Sequence, residues 1–402
     1  MSQTTATATR PTIRLKPGAR KKYGAYQSPW LFANDVAMSA DTRALEPGTV
    51  VRATTDTGKP LGTYFFNRHP LICARRLSPD PEATIDTGFW IDRLREARDL
   101  RHRLIGGSHY RLVHAEGDRL PGTVIDRFGD VVVLQVNTAG IEAHLDDVLT
   151  AVDEVLSPRA IVLRNDSQAR ELERLDSYVK VAKGRVDGPV EIEENGAVFY
   201  AQPLEGQKTG WFYDQRDNRA FAARMATGAR VLDGYSFSGG FAIQAALGGA
   251  HAVVAVDRSQ AALDAGASAA ERNGVAERCR FDKADIFDDL PRRAGAGESF
   301  DLVIMDPPAF VKSRKDYWQG IKGYRKLTKL AAPLVRSGGT LMMCSCSHHV
   351  QPDAFADQVR RGLAEARREG RVLRFAGAGP DHPVHPWLPE TSYLKALALT
   401  LD

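Results

Sequence analysis

The hydrophobic pattern of the chain changes near residue 205. Beyond it, short apolar runs that predict strands alternate with segments of helical periodicity, such as 259–273 and 352–369. Strands that alternate with helices in this way are typical of βαβ units. We therefore predict an α/β, Rossmann-like domain over residues 205–402, with a mainly parallel, doubly wound sheet. Its predicted strands are Arg230–Asp233, Ala252–Asp257, Arg280–Lys283, Leu302–Asp306 and Gly339–Cys344.

The residues before 205 follow two other patterns. Short β-type runs broken by proline and glycine predict a small β-barrel over residues 11–85. A helical pattern over Phe89–Ile105, several strand-like runs and the hairpin sequence Asn195-Gly196 predict a mixed α/β central domain over residues 86–204. Three domains agree with a length of 402 residues, at about 150 residues per domain.

Composition narrows the class of protein. A hydrophobic share of 43% is ordinary for a globular protein, and no apolar run approaches the roughly 18 residues of a membrane span. The N-terminus lacks the apolar core of a signal peptide. Four cysteines are too few for a disulfide scaffold. We therefore expect a cytoplasmic protein with reduced cysteines and no membrane partner.

The formal net charge of +4 conceals local clusters of basic residues. Residues 1–34 contain six basic residues and no acid, and residues 312–329 contain seven basic residues, one acid and three aromatic residues. Basic groups interleaved with aromatic rings suit an unpaired nucleic-acid strand, and the alternative is a solvated loop and helix start. The residues that we predict to bind substrate in this segment are Lys312, Arg314 and Lys315.

Acidic residues follow three successive predicted strands, at the edge where parallel sheets bind ligands. Asp233 precedes a glycine-rich loop, Asp257 ends the second strand, and Asp285 follows the third. The loop is not G-x-G-x-x-G, which argues against a dinucleotide pyrophosphate. Acids at these positions suit a cationic amino-acid tail, a ribose and an adenine, which together describe S-adenosylmethionine. The alternative for Asp257 and Asp285 is simple capping of strand-to-helix turns.

The fourth predicted strand runs directly into Asp306-Pro-Pro-Ala-Phe310. The two prolines predict a rigid, extended exit that presents Asp306 to a planar base, with Phe310 able to stack on it. After the three acids, this segment resembles the substrate-side motif of class I methyltransferases that act on nucleobases or amides. Its further predicted substrate-binding residues are Pro307 and Pro308. The predicted cofactor-binding residues of all strand ends are Asp233, Tyr235, Ser236, Phe237, Gly239, Asp257, Asp285, Ile286 and Asp306.

The fifth predicted strand ends in a segment with two of the four cysteines, Cys344 and Cys346. Methylation at cytosine C5 requires a nucleophile, because C5 gains its nucleophilic character only after a thiolate has added to C6. We predict Cys346 as this nucleophile and Asp306 as the group that stabilises the adduct. The alternatives are two small buried side chains, or a metal site with His348 and His349. Because C-x-C-x-H-H is not the spacing of structural zinc, we predict no metal.

These motifs together resemble the bacterial 23S ribosomal RNA cytosine-5 methyltransferases that have an N-terminal PUA domain. The resemblance extends from about Ile13 to the C-terminus. It implies a PUA-like barrel at the N-terminus, a class I methyltransferase domain at the C-terminus, Cys346 as the nucleophile, and a cofactor pocket that includes Gln215. The matching stretches are Ser28–Phe32, Leu120–Gly129, Lys208–Asp217, Phe237–Phe241, Asp306–Phe310, Ser345–Ser347, Asp381–Val384 and Tyr393–Lys395.

The residues and the resemblance predict methylation of a cytosine C5 in large-subunit ribosomal RNA, with S-adenosylmethionine as cofactor. Two alternatives stay open. One is an RNA amino-group methyltransferase acting on guanine or adenine, which needs no cysteine. The other is a non-catalytic RNA-binding assembly factor on a methyltransferase scaffold. The sequence also leaves a homodimer open.

Overall fold

The computed structural model describes residues 10–24, 26–206 and 209–402, so Lys208, from one of the matching stretches, lies outside the described residues. The contacts divide the chain into two compact units. The first contains the described parts of Met1–Gly188, Gln202–Gly210 and Asp381–Pro389. The second contains Pro189–Ala201, Trp211–Pro380 and Glu390–Asp402.

The first sheet of the first unit has five strands in the order β1-β3-β4-β5-β2. β1 is parallel to β3, and the other pairs are antiparallel. Apolar side chains of Leu31, Val51, Tyr64 and Phe66 form part of its core. The β-rich pattern predicted for this segment is confirmed. Its elements are β1 Thr12–Arg14, β2 Trp30–Phe32, α1 Ala40–Ala44, β3 Thr49–Thr54, β4 Pro60–Phe66 and β5 Ile72–Ser78.

The second sheet of this unit has the order β10-β9-β8-β7-β6, with a parallel pair only between β8 and β9. A helix precedes it where the periodicity predicts one: the Asp86 carboxylate accepts from the Phe89 N–H and caps the helix, and Trp90 and Leu94 are buried. The elements are α2 Thr87–Leu104, β6 His109–His114, β7 Thr123–Phe128, β8 Val131–Val136, α3 Ala139–Ala143, α4 Leu145–Leu156, β9 Ala160–Asn165, α5 Ala169–Glu173 and β10 Tyr178–Lys183.

The predicted hairpin at Asn195-Gly196 is confirmed, with strands β11 Val190–Glu194 and β12 Ala197–Ala201. Both turn residues have positive φ, 50° and 78°, as a two-residue hairpin turn requires. The hairpin belongs to the second unit, because Asn273 bonds to Val198 and Gln244 bonds to the Glu194 carbonyl. The units therefore divide the chain differently from the predicted domain boundaries, which stay predictions.

The main sheet of the second unit has seven strands in the order β15-β14-β13-β16-β17-β19-β18. The first five are parallel, and β19 and β18 extend the sheet in antiparallel fashion. The mainly parallel α/β fold is confirmed. The elements are α6 Arg216–Met225, β13 Arg230–Gly234, α7 Gly240–Leu247, β14 Ala252–Asp257, α8 Gln260–Arg272, β15 Cys279–Lys283, α9 Ile286–Gly295, β16 Phe300–Met305, α10 Tyr317–Ala331, β17 Val335–Ser345, α11 Pro352–Glu365, β18 Gly370–Ala376 and β19 Lys395–Leu401.

The order of this sheet reverses at β13, whose neighbours are β14 on one side and β16 on the other. Such a switch point leaves a crevice at the carboxyl ends of the strands, where open α/β sheets bind ligands. The strands beneath this edge are buried in one apolar core, which includes Leu232, Val303 and Met343. Over the residues that the structure describes, no helix has both the length and the apolar character needed to span a membrane.

Candidate active site

The loop after β13 has an unusual backbone conformation. Tyr235, Phe237 and Gly239 all have positive φ, at 63°, 50° and 75°. Positive φ is uncommon for residues other than glycine, and it is typical of strained segments at functional sites. Hydrogen bonds hold the loop: the Ser236 N–H donates to the Val256 carbonyl at 3.0 Å, and the Phe237 N–H donates to Asp257 Oδ2 at 3.0 Å. The loop is therefore tied to β14.

Asp233 lies beneath this loop and is fully buried. Its Oδ2 accepts from the Ala242 N–H at 3.0 Å, in the first turn of α7. Burial, reinforced by the carboxylate of Asp306, raises the pKa of Asp233 to about 8, although the Ala242 N–H and the Arg219 guanidinium oppose the rise. A buried acid of this kind gains from a cationic ligand, because the cation would stabilise its ionised form.

Asp257 ends β14 and Asp285 follows β15, and both carboxylates accept hydrogen bonds from backbone N–H groups. Asp257 Oδ1 accepts from the Ser259 N–H at 2.9 Å, and Asp285 Oδ1 caps α9 by accepting from the Phe287 N–H at 2.9 Å. The capping contacts that the sequence offered as the alternative to ligand binding are therefore present at both residues. Each carboxylate is also partly open to solvent and keeps further acceptor capacity. Capping and ligand binding are thus compatible at both positions.

Ile286, the first residue of α9, packs against Gly234, the last residue of β13. The Ile286 side chain is buried, and a Cβ at Gly234 would lie 2.9 Å from its Cδ1 and 2.7 Å from Met305 Sδ. A side chain at 234 would therefore force the side chains of Met305 and Ile286 to shift. Tyr235 stands above, where burial and the nearby Asp285 carboxylate raise the pKa of its hydroxyl.

Asp306 begins the segment after β16 and lies next to the loop after β13. Its N–H donates to the Gly234 carbonyl at 3.2 Å. Pro307 is buried and Pro308 is exposed. The Phe310 ring packs on the Tyr324 ring, with centroids 4.8 Å apart, and on the Phe287 ring at 6.1 Å. Part of the surface of Phe310 is thus used in packing within the protein.

The two cysteines at the end of β17, Cys344 and Cys346, have different environments. Cys344 lies inside β17 and is fully buried, and burial raises the pKa of its thiol well above the ordinary value. Cys346 lies one residue beyond the strand and is partly exposed, with its Sγ 3.9 Å from the Pro307 carbonyl oxygen. Of the two thiols, Cys346 is therefore the accessible one, and it lies next to the segment Asp306-Pro307.

A small groove of about 300 Å³ opens at His348 and His349, which follow Cys346 in the chain. Its lining includes Arg314, Tyr317, Trp318 and His348, and Trp318 is 76% exposed. Lys312, Arg314 and Lys315 are all exposed. Three members of the predicted basic and aromatic segment, Arg314, Tyr317 and Trp318, therefore lie next to the histidines that follow Cys346.

Asn218 and Lys395 contact residues of the candidate site, although the residue pattern did not select them. The Asn218 amide donates to Gln215 Oε1 at 2.7 Å, which fixes the side chain of Gln215. Lys395 is 2% exposed and donates to the Ser347 carbonyl at 2.7 Å, beside Cys346. For Lys395 the sequence offered one hint, since it ends the matching stretch Tyr393–Lys395.

Comparisons with known proteins agree with this geometry. A family model described as S-adenosylmethionine-dependent methyltransferase matches residues 156–400, and one described as a PUA-like domain matches residues 13–79. Proteins named ribosomal RNA large subunit methyltransferase I are similar over nearly the whole chain. The one from Erwinia tasmaniensis is 36% identical over 96% of this chain and 99% of its own length, and the one from Aeromonas hydrophila is 35% identical over 94% and 97%.

The chain belongs to the S-adenosylmethionine-dependent methyltransferases. Solved structures agree on the fold. A SAM-dependent methyltransferase from Streptococcus mutans has a TM-score of 0.80 at 22% identity, covering 97% of this chain and 100% of its own. A methyltransferase solved as a complex with SAH has a TM-score of 0.83 at 21% identity, with the same coverage. Neither the relatives nor these structures support the homodimer that the sequence left open.

The methyltransferase cofactor, S-adenosylmethionine, fits the polar atoms at the carboxyl edge of the sheet. Several buried polar atoms there have no hydrogen-bond partner among the described residues, and buried polar atoms are normally paired. A ligand with a cationic tail, hydroxyls and ring nitrogens supplies partners of both kinds. These atoms are Gln215 Nε2, Asn218 Oδ1, Asp233 Oδ1, Ser236 Oγ and Ser238 Oγ.

The described residues offer no group of three or more His, Cys, Asp or Glu side chains that could hold a metal ion. Cys344 is sealed in the core, whereas His348 and His349 are exposed, so the tight C-x-C-x-H-H spacing does not become a cluster in space.

Proposed function

We propose that this methyltransferase transfers a methyl group to C5 of a cytosine in large-subunit ribosomal RNA, through a covalent adduct with Cys346. The observation that supports this most directly is the position of Cys346, a partly exposed thiol 3.9 Å from the carbonyl of Pro307, at the edge where the cofactor residues meet. The name shared by the relatives described above, and the PUA-like match, support ribosomal RNA as the substrate.

The cofactor residues divide by chemistry in this proposal. The Asp257 carboxylate accepts from ribose hydroxyls, Asp285 and Ile286 border the adenine, and Asp233 with Gln215 lies near the cationic amino-acid part. Tyr235, Ser236, Phe237 and Gly239 shape the loop against it. The unpartnered oxygens of Asp233 and Ser236 support this arrangement. Asp306 lies between the cofactor and substrate sides of the site.

The chain's own residues then perform the steps on the base. The Cys346 thiolate adds to C6 of cytosine, and the electron pair of the C5–C6 bond moves to make C5 nucleophilic. Asp306 hydrogen-bonds near N3 and the exocyclic amine, which stabilises the adduct. S-adenosylmethionine supplies the methyl group that C5 takes. A base removes the C5 proton, and the Cys346 thiolate leaves as the C5–C6 double bond re-forms.

The substrate strand is proposed to follow the exposed segment after Asp306. Lys312, Arg314 and Lys315 contact phosphates, and Pro307, Pro308 and Phe310 border the target base. Trp318 and Tyr317 line the groove at His348 and His349, where a flanking base can stack. A target base inside a duplex has to be turned out of the stack, so an unpaired cytosine is the favoured substrate. The cytoplasm is the proposed location, in agreement with a cysteine content too low for a disulfide scaffold.

Substitution of each cysteine in turn tests the mechanism. We expect Cys346→Ala to abolish methyl transfer while it retains RNA and cofactor binding. Cys344→Ala is the matched control, because it removes a buried thiol only two positions earlier in the chain. We expect this variant to keep most of the activity and to lose about 1 kcal/mol of stability. Transfer of labelled methyl groups to ribosomal RNA measures both. Full activity of Cys346→Ala contradicts the covalent mechanism and favours amino-group methylation.

A second measurement traps the adduct directly. In RNA that contains 5-fluorocytidine, C5 has no proton to lose, so the Cys346–C6 bond cannot be broken by elimination. We expect a denaturant-resistant protein–RNA complex with the unchanged chain and with Cys344→Ala, and none with Cys346→Ala. A trapped complex that survives Cys346→Ala assigns the bond to another residue.

A further inference from the structure

Lys395 is a buried lysine beside the proposed nucleophile. It is the first residue of β19, lies opposite Ser345 of β17, and is 2% exposed. Lysine is rarely buried to this extent without a charged partner, because removing an ammonium group from water is costly. Such a burial within the active site requires a functional or a structural explanation.

The contacts of its ammonium group are neutral. Nζ donates to the Ser347 carbonyl at 2.7 Å and to the Tyr393 carbonyl at 2.6 Å. Among the residues that the structure describes, no carboxylate forms an ion pair with Nζ. Burial lowers the pKa of Lys395 to about 8, and Cys346 is the group that opposes this change. The interaction is mutual, since a cation that is stabilised by a thiolate stabilises that thiolate equally.

Among the described residues, the other titratable neighbours of Cys346 are a thiol, a phenol, a carboxylate and an exposed imidazole. Cys344 is a buried thiol. Tyr324, whose hydroxyl bonds to Ser347 Oγ at 2.7 Å, has its pKa raised chiefly by burial. Asp306 is an acid on the adjoining segment, and His348 is exposed and stacked on the ring of Tyr393. Lys395 is therefore the buried cation within this group of described neighbours.

The structure also gives Lys395 a mechanical role. Its bond to the Ser347 carbonyl holds the residue immediately after Cys346, while Ser347 Oγ accepts from the Val311 N–H at 3.1 Å. Cys346 thus lies between β17 and a residue fixed from two sides. A loop held in this way keeps the sulfur in one place, which a nucleophile needs in order to attack.

We propose that Lys395 is a positioning residue that fixes the Cys346 loop and favours the thiolate form of Cys346 through its buried charge. This inference rests on the proposed function, in which Cys346 is the nucleophile. It identifies Lys395 as the group that activates Cys346. Activation is needed because a thiolate attacks and a thiol does not. The predicted effect is on the ionisation of Cys346, which can be measured without RNA or cofactor.

The test is the pH dependence of Cys346 alkylation by iodoacetamide in the full chain. The sulfur attacks the methylene carbon, iodide leaves, and the thiol proton passes to solvent. A Cys279→Ser background removes the partly exposed competitor, since Cys73 and Cys344 are buried. Mass spectrometry of the Cys346 peptide gives the rate from about pH 5 to about pH 10. In the unchanged Lys395 chain we expect a midpoint below the ordinary cysteine value of about 8.5.

Three substitutions separate charge from structure. Lys395→Gln keeps N–H donors for the two carbonyls but is neutral, Lys395→Met is neutral without donors, and Lys395→Arg keeps the charge. We expect the midpoint to rise by about 1 to 3 pH units in the Gln and Met variants and to stay nearly unchanged in the Arg variant. A purely structural role alters the plateau rate at high pH and leaves the midpoint in place.

Two results overturn the inference. One is an equal midpoint in the unchanged chain and in folded Lys395→Gln and Lys395→Met, as judged by thermal melting. The other is a midpoint at or above about 8.5 in the unchanged chain. This second result does not depend on whether any variant folds. The proposed function fails separately, through activity of Cys346→Ala. A shifted midpoint with an active Cys346→Ala supports the charge effect and rejects the nucleophile.

Discussion

At the scale of single residues, two cysteines separated by one position have different environments. Cys344 is enclosed by the core of β17, and Cys346 is partly exposed just beyond the end of that strand. Their chemical difference follows from burial, which holds the Cys344 thiol protonated. The sequence could place both near the edge of the sheet. Lys395, by contrast, reaches the residue after Cys346 only because β19 returns antiparallel to β17, where Lys395 pairs with Ser345, 50 positions earlier.

Asp233 predicts a specific dependence of stability on pH. Its pKa is raised to about 8, mainly by burial, whereas in the unfolded chain it is about 3.9. The folded state therefore keeps a proton that the unfolded chain releases, and its contribution is complete below about pH 4 and lost as the pH rises through about 8. Asp233→Asn keeps an acceptor for the Ala242 N–H but cannot ionise.

We expect the stability of the unchanged chain, relative to Asp233→Asn, to fall by at least about 1 kcal/mol between about pH 4.5 and about pH 8. Denaturant unfolding of both proteins across this range measures the difference. Because all other titrating groups are shared, they cancel in the comparison. A difference that stays constant with pH, or that grows in favour of the unchanged chain, contradicts the assigned pKa shift.

At the scale of elements, the alternating pattern predicted the parallel strands well and the antiparallel ones poorly. β13, β14 and β16 are buried runs of valine, leucine and isoleucine, which a sequence pattern detects directly. β18 is an edge strand, Gly370–Ala376, with most of its side chains exposed, and its two arginines interrupt the apolar pattern. Its pairing with β19 depends on a long connection that contributes residues 381–389 to the other unit.

The start of α10 predicts an aromatic contact with RNA. Trp318 is 76% exposed and lines the groove at His348 and His349. Because stacking of a base on an aromatic ring is worth about 1 to 3 kcal/mol, Trp318→Ala should weaken RNA binding by roughly 5- to 150-fold. Phe375→Ala on edge strand β18 removes another exposed ring and is the control. Equal affinities of the two variants, measured by titration of fluorescent RNA, count against this groove as the RNA path.

At the scale of the whole molecule, the chain returns to its first unit near its end. Residues 381–389 belong to that unit, although the Rossmann-like pattern covers them. Arg101 is fully buried, pairs with Asp118 at 2.7 Å and donates to the Asp381 carbonyl at 2.8 Å. The Asp381 carboxylate accepts in turn from the Arg111 N–H. No local pattern predicts such a contact, because its partners are 280 positions apart.

Arg101→Met should therefore destabilise the first unit. It leaves the Asp118 carboxylate buried without its cation, which costs about 3 to 5 kcal/mol. Arg103→Met, two positions along the same helix and exposed, should change the free energy of unfolding by about 0.5 kcal/mol or less. Denaturant unfolding that finds the two variants equally stable would show that the buried pair is not important for stability.

The most direct test of the central claim is the position-by-position content of 5-methylcytidine in large-subunit ribosomal RNA. It compares a strain that lacks this chain with the same strain supplied with the unchanged chain, Cys346→Ala or Cys344→Ala. We predict that one cytidine loses its methyl group in the deletion, and that the unchanged chain and Cys344→Ala restore it but Cys346→Ala does not. An unchanged 5-methylcytidine pattern in the deletion, or restoration by Cys346→Ala, contradicts the account.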